Sequence, residues 1–585
     1  MNLKIKAMLA LLVFAVHGIF SQTADSIKHI QLNELVISVN KSEESRKSVA
    51  QEVKVLLKRE IQSAQALSTA DLMSNIGIFV QKSQLGGGSP VLRGFEASRI
   101  VLMIDGVRMN NLIYRAGHLQ DLIKTDNESL ERVEVLYGPS SGMYGSDALG
   151  GVIHLYTKKP AWGENESSKF KLNILSRYES ASKGITEHVD LNYGGRKLAL
   201  LTSVSYNRFG DLRSGRNQNP FYTSEYGTRP YYVEYVGNGR DTLIKNEDRF
   251  LQAGSGYSQY DIIQKFAYRK NDYTTHSLNL QYSNSTDVPR YDRLTDPSGT
   301  TGLRSAEWYY GPQRRILAAY DLNIQNPEWV LEDIHIGINY QNLEESRHNR
   351  NFNSTFRNNR IEKVSVAGVQ LDFIKRKGPH QIRFGADAQL NHLKSRADKE
   401  NIVDGTLSKL DTRYPDGENA MNNFAVYVSH TWKLNPELNL VDGFRIGYST
   451  LHSSLVDTAT LFHLPYTDIS QKTAVYSGSI GIIHNPSDDL KLSFLLSTGF
   501  RVPNVDDLSK IFGSKPGSVI VPNKDLKPEK TINYEFGISK QFEGHTRWES
   551  SIFYTDFRDI AVVDAFNFNG QDSILYDGIL NRVYA

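Results

Sequence analysis

The residues best suited to chemistry in this sequence are tyrosines and arginines gathered in one long polar segment, residues 211–258. These side chains combine a large contact area with directed hydrogen bonds, so they favour recognition of a ligand. We expect Tyr231 and Tyr232 to be ligand-binding members of this segment. An ordinary aromatic-rich surface loop is the alternative. The aromatic and basic side chains of the segment include Phe221, Tyr222, Tyr226, Tyr231, Tyr232, Tyr235, Arg213, Arg216, Arg229 and Arg240.

Motifs for enzymatic catalysis do not emerge from the sequence. It has no His-Glu-x-x-His pair and no glycine-rich phosphate loop followed by lysine, and Gly86-Gly87-Gly88 is too short for such a loop. The carboxylates are dispersed, so no general acid and base can be assigned. We therefore expect a protein that is not an enzyme and has no intrinsic cofactor.

Length and composition limit the class of protein further. The chain has 585 residues, 39% of them hydrophobic, which is enough for two sizeable domains or one large barrel with an insert. Its formal net charge is +2, without the clustered basic excess of nucleic-acid-binding proteins, so we expect no nucleic-acid partner. The absence of cysteine excludes disulfides and thiolate metal sites.

The N-terminus predicts export from the cytoplasm. A basic start at Met1–Lys6, an apolar run at Ala7–Val16 and small residues near Ser21 are typical of a secretory signal peptide, residues 1–21. A buried core helix is the alternative. No other stretch is long and apolar enough for a membrane helix, so a membrane-spanning form would have to be a closed barrel.

The sequence after residue 160 predicts β-strands. In Ile334–Tyr340, for example, apolar residues alternate with polar or small ones. From Asn271 on, short turns recur every 50 to 58 residues, and each interval holds two strands separated by a long polar segment. Alternation of short turns with long loops is typical of outer-membrane barrels, whereas sandwich strands recur about every 8 to 12 residues. The pattern predicts about sixteen strands, the last at residues 573–583.

Three short blocks rich in turns stand before these strands: Val101–Arg108, Leu130–Pro139 and Tyr144–Ile153. Together they resemble the plug domain of TonB-dependent outer-membrane receptors. The resemblance implies a small α+β plug domain inside a large antiparallel transmembrane β-barrel, in contact with outer-membrane lipid. It divides the chain into a signal peptide (1–21), a TonB-box segment and linker (22–49), the plug (50–160) and the barrel (161–585).

The resemblance also bears on length and on internal contacts. Such barrels have about twenty-two strands, so we expect a C-terminally truncated chain, with a complete sixteen-stranded porin as the alternative. Arg93, Glu131 and Glu134 are predicted to meet opposite charges on the barrel wall. Ordinary solvated charges are the alternative for these three residues.

A β-prone strip near the mature N-terminus resembles the TonB box of this family. The role would be to pair, as an added strand, with TonB of the inner-membrane energy-coupling complex. The first strand of the plug is the alternative interpretation. The residues of the predicted box are Glu34, Leu35, Val36, Ile37, Ser38 and Val39.

The cargo expected from the resemblance is haem or a haem protein, because Asp105–Arg108 followed by Gly117-His118-Leu119 is similar to the haem-receptor branch. His118 would then ligate the haem iron. Phe500–Pro503 and Pro522–Leu526 resemble two further boxes of that branch, but the histidine expected between them is missing. A ferric siderophore is the alternative cargo. The predicted ligand-binding residues are His118, Tyr114, Arg115, Tyr231, Tyr232, His348, His463 and Tyr466.

The predicted function is therefore TonB-dependent, energy-coupled import of an iron-containing ligand across the outer membrane. Haemoglobin or a surface lipoprotein is an additional expected partner. The alternative is a ligand-binding adhesin or signalling receptor that does not transport.

Overall fold

The computed structural model describes most of the chain after residue 43. The predicted signal peptide lies outside the described residues. So do Glu34, Ile37 and Ser38 of the predicted box and three predicted ligand-binding residues, His118, His463 and Tyr466. The described residues are 35, 36, 39, 41, 44–115, 117, 120–163, 167–217, 220–221, 227–299, 302–326, 328–456, 467–510, 512–515, 517–542, 546–576 and 579–585.

The plug is a small α+β unit built on a five-stranded sheet. In spatial order its strands are Val53–Leu57, Leu130–Tyr137, Gly151–Thr157, Ile100–Ile104 and Val107–Arg108. Only Gly151–Thr157 and Ile100–Ile104 pair in parallel. A second, three-stranded sheet consists of Phe79–Gln81, Ser89–Leu92 and Phe95–Glu96. The plug helices are Lys58–Ser63, Thr69–Asn75 and Ser141–Tyr144, with 3-10 turns at Arg46–Ser48, Ala97–Arg99 and Asn127–Ser129. No helix in the described residues is long and apolar enough to cross a membrane.

The Asp-Gly pair predicted as a turn forms the tip of a tight hairpin. Asp105 and Gly106 have φ values of 47° and 85°, and they connect paired residues Ile104 and Val107. Positive φ at both central positions matches the twist of the flanking strands, and aspartate and glycine tolerate it best. Helix Thr69–Asn75 contributes Leu72 and Met73 to a large buried apolar cluster, which also contains the sheet residues Ile100, Leu102 and Val133.

The second unit is one large antiparallel sheet of eighteen strands, three of them short, at Val288–Pro289, Ser305–Tyr310 and Leu407–Lys409. The fifteen long strands of the described region are Lys169–Glu179, Gly184–Gly194, Leu198–Phe209, Tyr257–Arg269, Thr274–Ser285, Arg314–Gln325, Asp333–Asn351, Phe356–Lys377, His380–Asn401, Asn419–Lys433, Leu438–Ser454, Asp468–Ser487, Leu490–Arg501, Glu529–Gln541 and Arg547–Arg558. Predicted short turns such as Asn271-Asp272, Gly378-Pro379 and Asn435-Pro436 lie between consecutive long strands.

Alternation along these strands distinguishes the sheet from that of a soluble protein. In Leu438–Ser454, Phe444 and Ile446 are 46% and 53% exposed, whereas Arg445 and Ser449 are 4% and 3% exposed. Apolar side chains therefore face outward and polar ones face the plug. This arrangement is typical of a barrel surrounded by lipid.

The strand predicted at 573–583 is not part of the barrel sheet. Ser573–Tyr576 and Ile579–Tyr584 form a hairpin in a separate four-stranded sheet with Phe512–Lys515 and Ser518–Ile520. This sheet has its own small core, which includes Val519, Val583 and Phe568. Fifteen of the about sixteen predicted strands are therefore found as long strands of the barrel sheet in the described residues, and the strand at 573–583 is not. The remaining strands of the described residues are a hairpin in a long loop, Tyr231–Gly237 with Arg240–Lys245, and the short strands Leu35–Val36, Glu44–Ser45, Pro297–Ser298 and Gly302–Leu303.

Candidate functional site

Plug residues 110–115, 117 and 120–125, called the plug apex below, lie against the barrel wall. Asn110 fixes the start of the apex, because its side chain accepts a hydrogen bond from the Leu102 amide and donates one to the Ile100 carbonyl, both at 2.9 Å. Apolar residues of the apex and inward-facing barrel residues share one buried cluster that includes Leu112, Ile113, Leu343, Val364, Leu393 and Met421. The apex therefore sits nearer the end of the strands that carries the long loops.

Tyr114 and Arg115, two predicted ligand-binding residues, are brought together at the apex and are 4% and 6% exposed. Arg115 donates a hydrogen bond to the Gln120 side chain at 3.1 Å and lies 4.0 Å from the carboxylate of Glu345 on the barrel wall. Gln120 and Lys124 donate to the same carboxylate at 2.9 Å each. The Glu345 carboxylate on the barrel wall thus lies within 4.0 Å of polar side chains of three apex residues, Arg115, Gln120 and Lys124.

Residues 501–510, called the covering segment below, donate hydrogen bonds to main-chain carbonyls of the apex. Its helix Val505–Ser509 starts with a capping box, in which Asn504 and Asp507 each accept a hydrogen bond from the other's amide. The Val505 amide donates to the Leu112 carbonyl at 3.0 Å, and the Asn504 side chain donates to the Tyr114 carbonyl. A ligand that binds Tyr114 and Arg115 would have to displace this segment.

Asp506 anchors the covering segment to a neighbouring loop. Its carboxylate accepts hydrogen bonds from Tyr414 at 2.7 Å, Lys510 at 2.6 Å and Arg413 at 3.2 Å. Burial alone would raise the pKa of Asp506, but Lys510, Arg413 and Arg115 outweigh it and hold that pKa well below its usual range. The contact is therefore ionic at every physiological pH. Sequence patterns offered no signal for the contact with the neighbouring loop, because Arg413 and Tyr414 lie about 90 residues from Asp506.

The Phe500–Pro503 box, which resembles a motif of haem receptors, contacts the plug. The Phe500 amide donates to the Ser141 hydroxyl at 3.1 Å, and the Val502 amide donates to the Ser146 hydroxyl at 3.0 Å. The intervening Arg501 side chain is 2% exposed and pairs with Asp507 and Glu529. The box thus contacts the plug through its main-chain amides. Its Arg501 side chain pairs with Glu529 on a barrel strand and with Asp507 of the covering segment.

The other predicted ligand-binding residues lie on different elements. The ring nitrogens of His348 are 2.7 Å from Asn359 Oδ1 and 3.0 Å from the Ser346 hydroxyl, and the ring stacks on Tyr309 at 4.8 Å. Tyr231 and Tyr232 belong to the loop hairpin, where Tyr231 is 48% exposed. Tyr114 and Arg115 therefore lie together at the apex, whereas His348, Tyr231 and Tyr232 lie on other elements.

In the predicted TonB box, Leu35 and Val36 form a two-residue strand, and Val39 is half-buried against a plug cluster that contains Val49 and Val53. Just after the box, the Lys41 ammonium lies 3.8 Å from Asp372 and 3.9 Å from Asp387 on the barrel wall. The box is therefore followed directly by a contact with the barrel.

Arginines of the plug pair with glutamates of one barrel strand, Glu529–Gln541. Arg93 lies 2.5 Å from Glu535, and Arg99 lies 2.6 Å from Glu529, which is fully buried. Among the other predicted contact residues, Glu131 is exposed, and Glu134 lies 3.0 Å from Arg132 within the plug. Arg99 was not predicted, because its sequence context does not distinguish it from a surface arginine.

Asp105, the first residue of the Asp-Gly turn, is a second anchor that sequence reasoning missed. Its carboxylate accepts hydrogen bonds from the Thr157 amide and hydroxyl, and from Asn279 and Gln281 on the barrel at 2.9 and 3.0 Å. Lys265 lies 3.0 Å away. Burial alone would raise the pKa of Asp105, but Lys265 and Thr157 outweigh it and lower that pKa. Asp105 thus has two roles: it forms the hairpin turn, and its carboxylate binds the plug to the barrel wall.

We expect acid to destabilise the plug through His154. Its Nε2 accepts a hydrogen bond from the Gly106 amide at 2.9 Å, and burial lowers its pKa from 6.5 to about 3. Between these pH values the unfolded chain binds the proton and the folded plug does not. The contribution to stability is therefore complete above pH 6.5 and is lost as the pH falls toward 3.

The His154→Gln variant tests this expectation, because the glutamine can still accept the hydrogen bond but cannot titrate. Its melting temperature should fall less steeply than that of the wild type between pH 6.5 and 4. The exposed His392→Gln variant serves as the control and should retain the wild-type slope. Equal slopes in all three proteins would contradict the assignment.

Comparison with known proteins gives matches over both units. A family model described as "TonB-dependent Receptor Plug Domain" matches residues 45–152, and one described as "TonB dependent receptor-like, beta-barrel" matches residues 246–576. A protein named "Hemin receptor" from Yersinia pestis is 24% identical over 557 residues, which are 92% of this chain and 72% of that protein.

Solved structures show the same fold. The copper transporter OprC superposes with a TM-score of 0.68 at 17% identity, covering 89% of this chain and 74% of OprC. A double mutant of the Serratia marcescens hemophore receptor HasR, in complex with its hemophore HasA and heme, gives a TM-score of 0.63 at 16% identity, covering 87% of this chain and 73% of that chain. At these identities the likeness concerns architecture alone.

Proposed function

Because the chain belongs to the TonB-dependent receptor family, we propose that it imports an iron-containing ligand across the outer membrane with energy supplied through TonB. The observation that carries the proposal is the plug inside the barrel sheet, fastened by pairs such as Arg93–Glu535 and Asp105–Lys265. A solute can pass only after the plug moves, and breaking buried ion pairs requires work. Deleting the predicted TonB box tests the proposal directly, since uptake should stop.

Coupling to TonB is assigned to residues 34–39. An extended segment can add to the edge of a partner's sheet through main-chain hydrogen bonds. The short strand Leu35–Val36 supports this assignment, because these two residues already have the extended conformation that such pairing requires. The Lys41 contacts with Asp372 and Asp387 follow the box immediately, so a pull on the box would act first on this ionic link.

Haem, alone or delivered by a haem protein, is the proposed cargo, and a ferric siderophore is the second candidate. The 24% identity to a hemin receptor over 92% of the chain supports haem. His118 is the proposed iron ligand, since a histidine imidazole is a common axial ligand of haem iron. Tyr114 and Arg115, close to it in sequence, are buried at the apex and would bind cargo once the covering segment moves.

Replacing His118 with alanine should remove most of the Soret change that accompanies haem titration of the purified protein. The reason is that loss of an axial imidazole changes the ligand field of the iron. The control is His392→Ala, which removes an exposed histidine of the strand His380–Asn401 and should titrate like the wild type. If His118→Ala gives the wild-type Soret response, His118 is not an iron ligand.

A further inference from the structure

Residues 44–48, called the strap below, connect two distant parts of the barrel wall. Glu44 pairs with Arg383, and Arg46 lies 2.7 Å from Glu549. Arg383 and Glu549 belong to different strands, and five other long strands lie between those two in the order of the sheet. The strap therefore lies across a whole sector of the wall.

The strap is stabilised by local hydrogen bonds and by the wall. Its 3-10 turn Arg46–Ser48 begins after Ser45, whose hydroxyl accepts a hydrogen bond from an amide of the turn at 3.3 Å. Two carbonyls of the turn accept hydrogen bonds from the wall, one from Lys491 at 3.1 Å and one from Asn485 at 3.4 Å. Lys491 and Asn485 flank a short turn between two long strands. The strap therefore lies at the end of the barrel with the short turns, which in outer-membrane barrels faces the periplasm.

The strap separates two spaces. On one side, a groove of about 770 Å³ that opens to solvent lies between Ser48 and wall residues such as Lys433 and Asn439. On the other side, a small cavity of about 80 Å³ lies between Ser48 and wall residues such as Thr431 and Val441. The wall residues of the groove and of the cavity are two positions apart on the same strands, which corresponds to about 7 Å. Because Ser48 lines both spaces, the strap lies between them.

The cavity behind the strap is suited to water. The hydroxyls of Ser429 and Ser497, residues that are 7% and 2% exposed, line it, and neither hydroxyl has a hydrogen-bond partner within the described residues. Buried polar groups almost always have partners, which ordered water can supply, and this volume has room for several water molecules. Beside the cavity, Ala50 of the plug packs against Ile483 and Leu495 of the wall. The strap and this apolar contact together close a polar space.

We propose that the strap is a gate at the periplasmic end of the interface between plug and wall. While its ion pairs hold, the strap keeps the cavity apart from the groove. When they break, the cavity joins the groove and opens to the periplasm. That TonB breaks these pairs by pulling on the predicted box rests on the proposed import function. The closure itself does not, because it follows from the contacts of the strap.

Thiol labelling tests the gate, because the chain has no cysteine of its own. Ser497→Cys places a thiol at the cavity, and the full chain, purified without TonB, is treated with the small uncharged reagent methyl methanethiosulfonate. Adding Arg46→Glu should raise the labelling rate by about tenfold, because it replaces the attraction to Glu549 by a repulsion in a partly buried pair. The charge swap, Arg46→Glu with Glu549→Arg, should restore the slow rate.

Arg177→Glu is the matched control, because it breaks a different ion pair between wall and plug, the one with Glu128 at 2.8 Å. It should leave the labelling rate of Ser497→Cys unchanged. Three results would overturn the proposal: no acceleration by Arg46→Glu, a fast rate that persists in the charge swap, or equal acceleration by Arg177→Glu. Since the assay contains neither TonB nor an energy source, failure of the import function would leave its result intact, and failure of the gate would leave the import function open.

Discussion

Cells whose only copy of this receptor lacks residues 34–39 are expected to lose all growth on haem as the sole iron source, while haem still binds to their surface. The deletion removes the segment proposed to pair with TonB, but it removes none of the residues of the plug apex. Binding does not require energy input, whereas displacement of a plug held by buried ion pairs does. Growth yield and haem binding, measured on the same cells, separate the two steps.

Substitutions within the box make this test sharper. Val36→Pro removes a main-chain donor that an added strand needs, so it should reproduce the deletion. Val36→Ile retains the donor and the β propensity, so it should grow like the wild type. Wild-type growth of the deletion strain would instead favour the alternative of an adhesin or signalling receptor without transport.

The Asp105→Asn variant is expected to loosen the plug and to make cells permeable to a large hydrophilic antibiotic such as vancomycin. Asparagine tolerates the positive φ of the turn, so the hairpin should form. The charge, however, is lost, and Lys265, with its side chain 8% exposed, keeps no counter-ion at this position. Breaking a buried pair in this way costs about 3–5 kcal/mol.

Asp147→Asn is the matched control for the permeability test. Asp147 is also a plug aspartate with positive φ, at 77°, but within the described residues its carboxylate forms its hydrogen bonds with the plug residues Ser146 and Asn110. It should leave the cells resistant. In the Asp105→Asn background, Lys265→Met should restore part of the resistance, because it removes the unpaired charge. If both aspartate variants leak equally, the effect arises from the turn and not from the ion pair.

The architecture could be predicted from the sequence because its signals are local. Side-chain alternation, turn residues and the spacing between turns depend on neighbours along the chain, and they identified the barrel strands and the Asp105-Gly106 hairpin. The strand at 573–583 shows the limit of this reasoning. Its residues do form strands, but alternation does not specify which sheet they join, and here the hairpin pairs with Ser518–Ile520.

The contacts of the site were harder to predict, because their partners are distant in sequence. Asp105 was recognised as a turn residue, but nothing near it points to Lys265, 160 positions later. Of the covering segment, the sequence indicated only the part that belongs to the Phe500–Pro503 box. Its contact with the Tyr114 carbonyl depends on Asn504, 390 residues away. Such contacts are set by the closure of the barrel around the plug and not by local propensity.

The long separation of the anchors has a consequence for how the protein is made. Arg93 and Glu535 are 442 residues apart, and Arg99 and Glu529 are 430 apart. The plug is synthesised before any barrel strand, yet it cannot be fastened until the strand Glu529–Gln541 is in place. Structures dominated by such distant contacts fold slowly. The barrel wall should therefore assemble first, and the plug should reach its final position as one of the last steps of biogenesis.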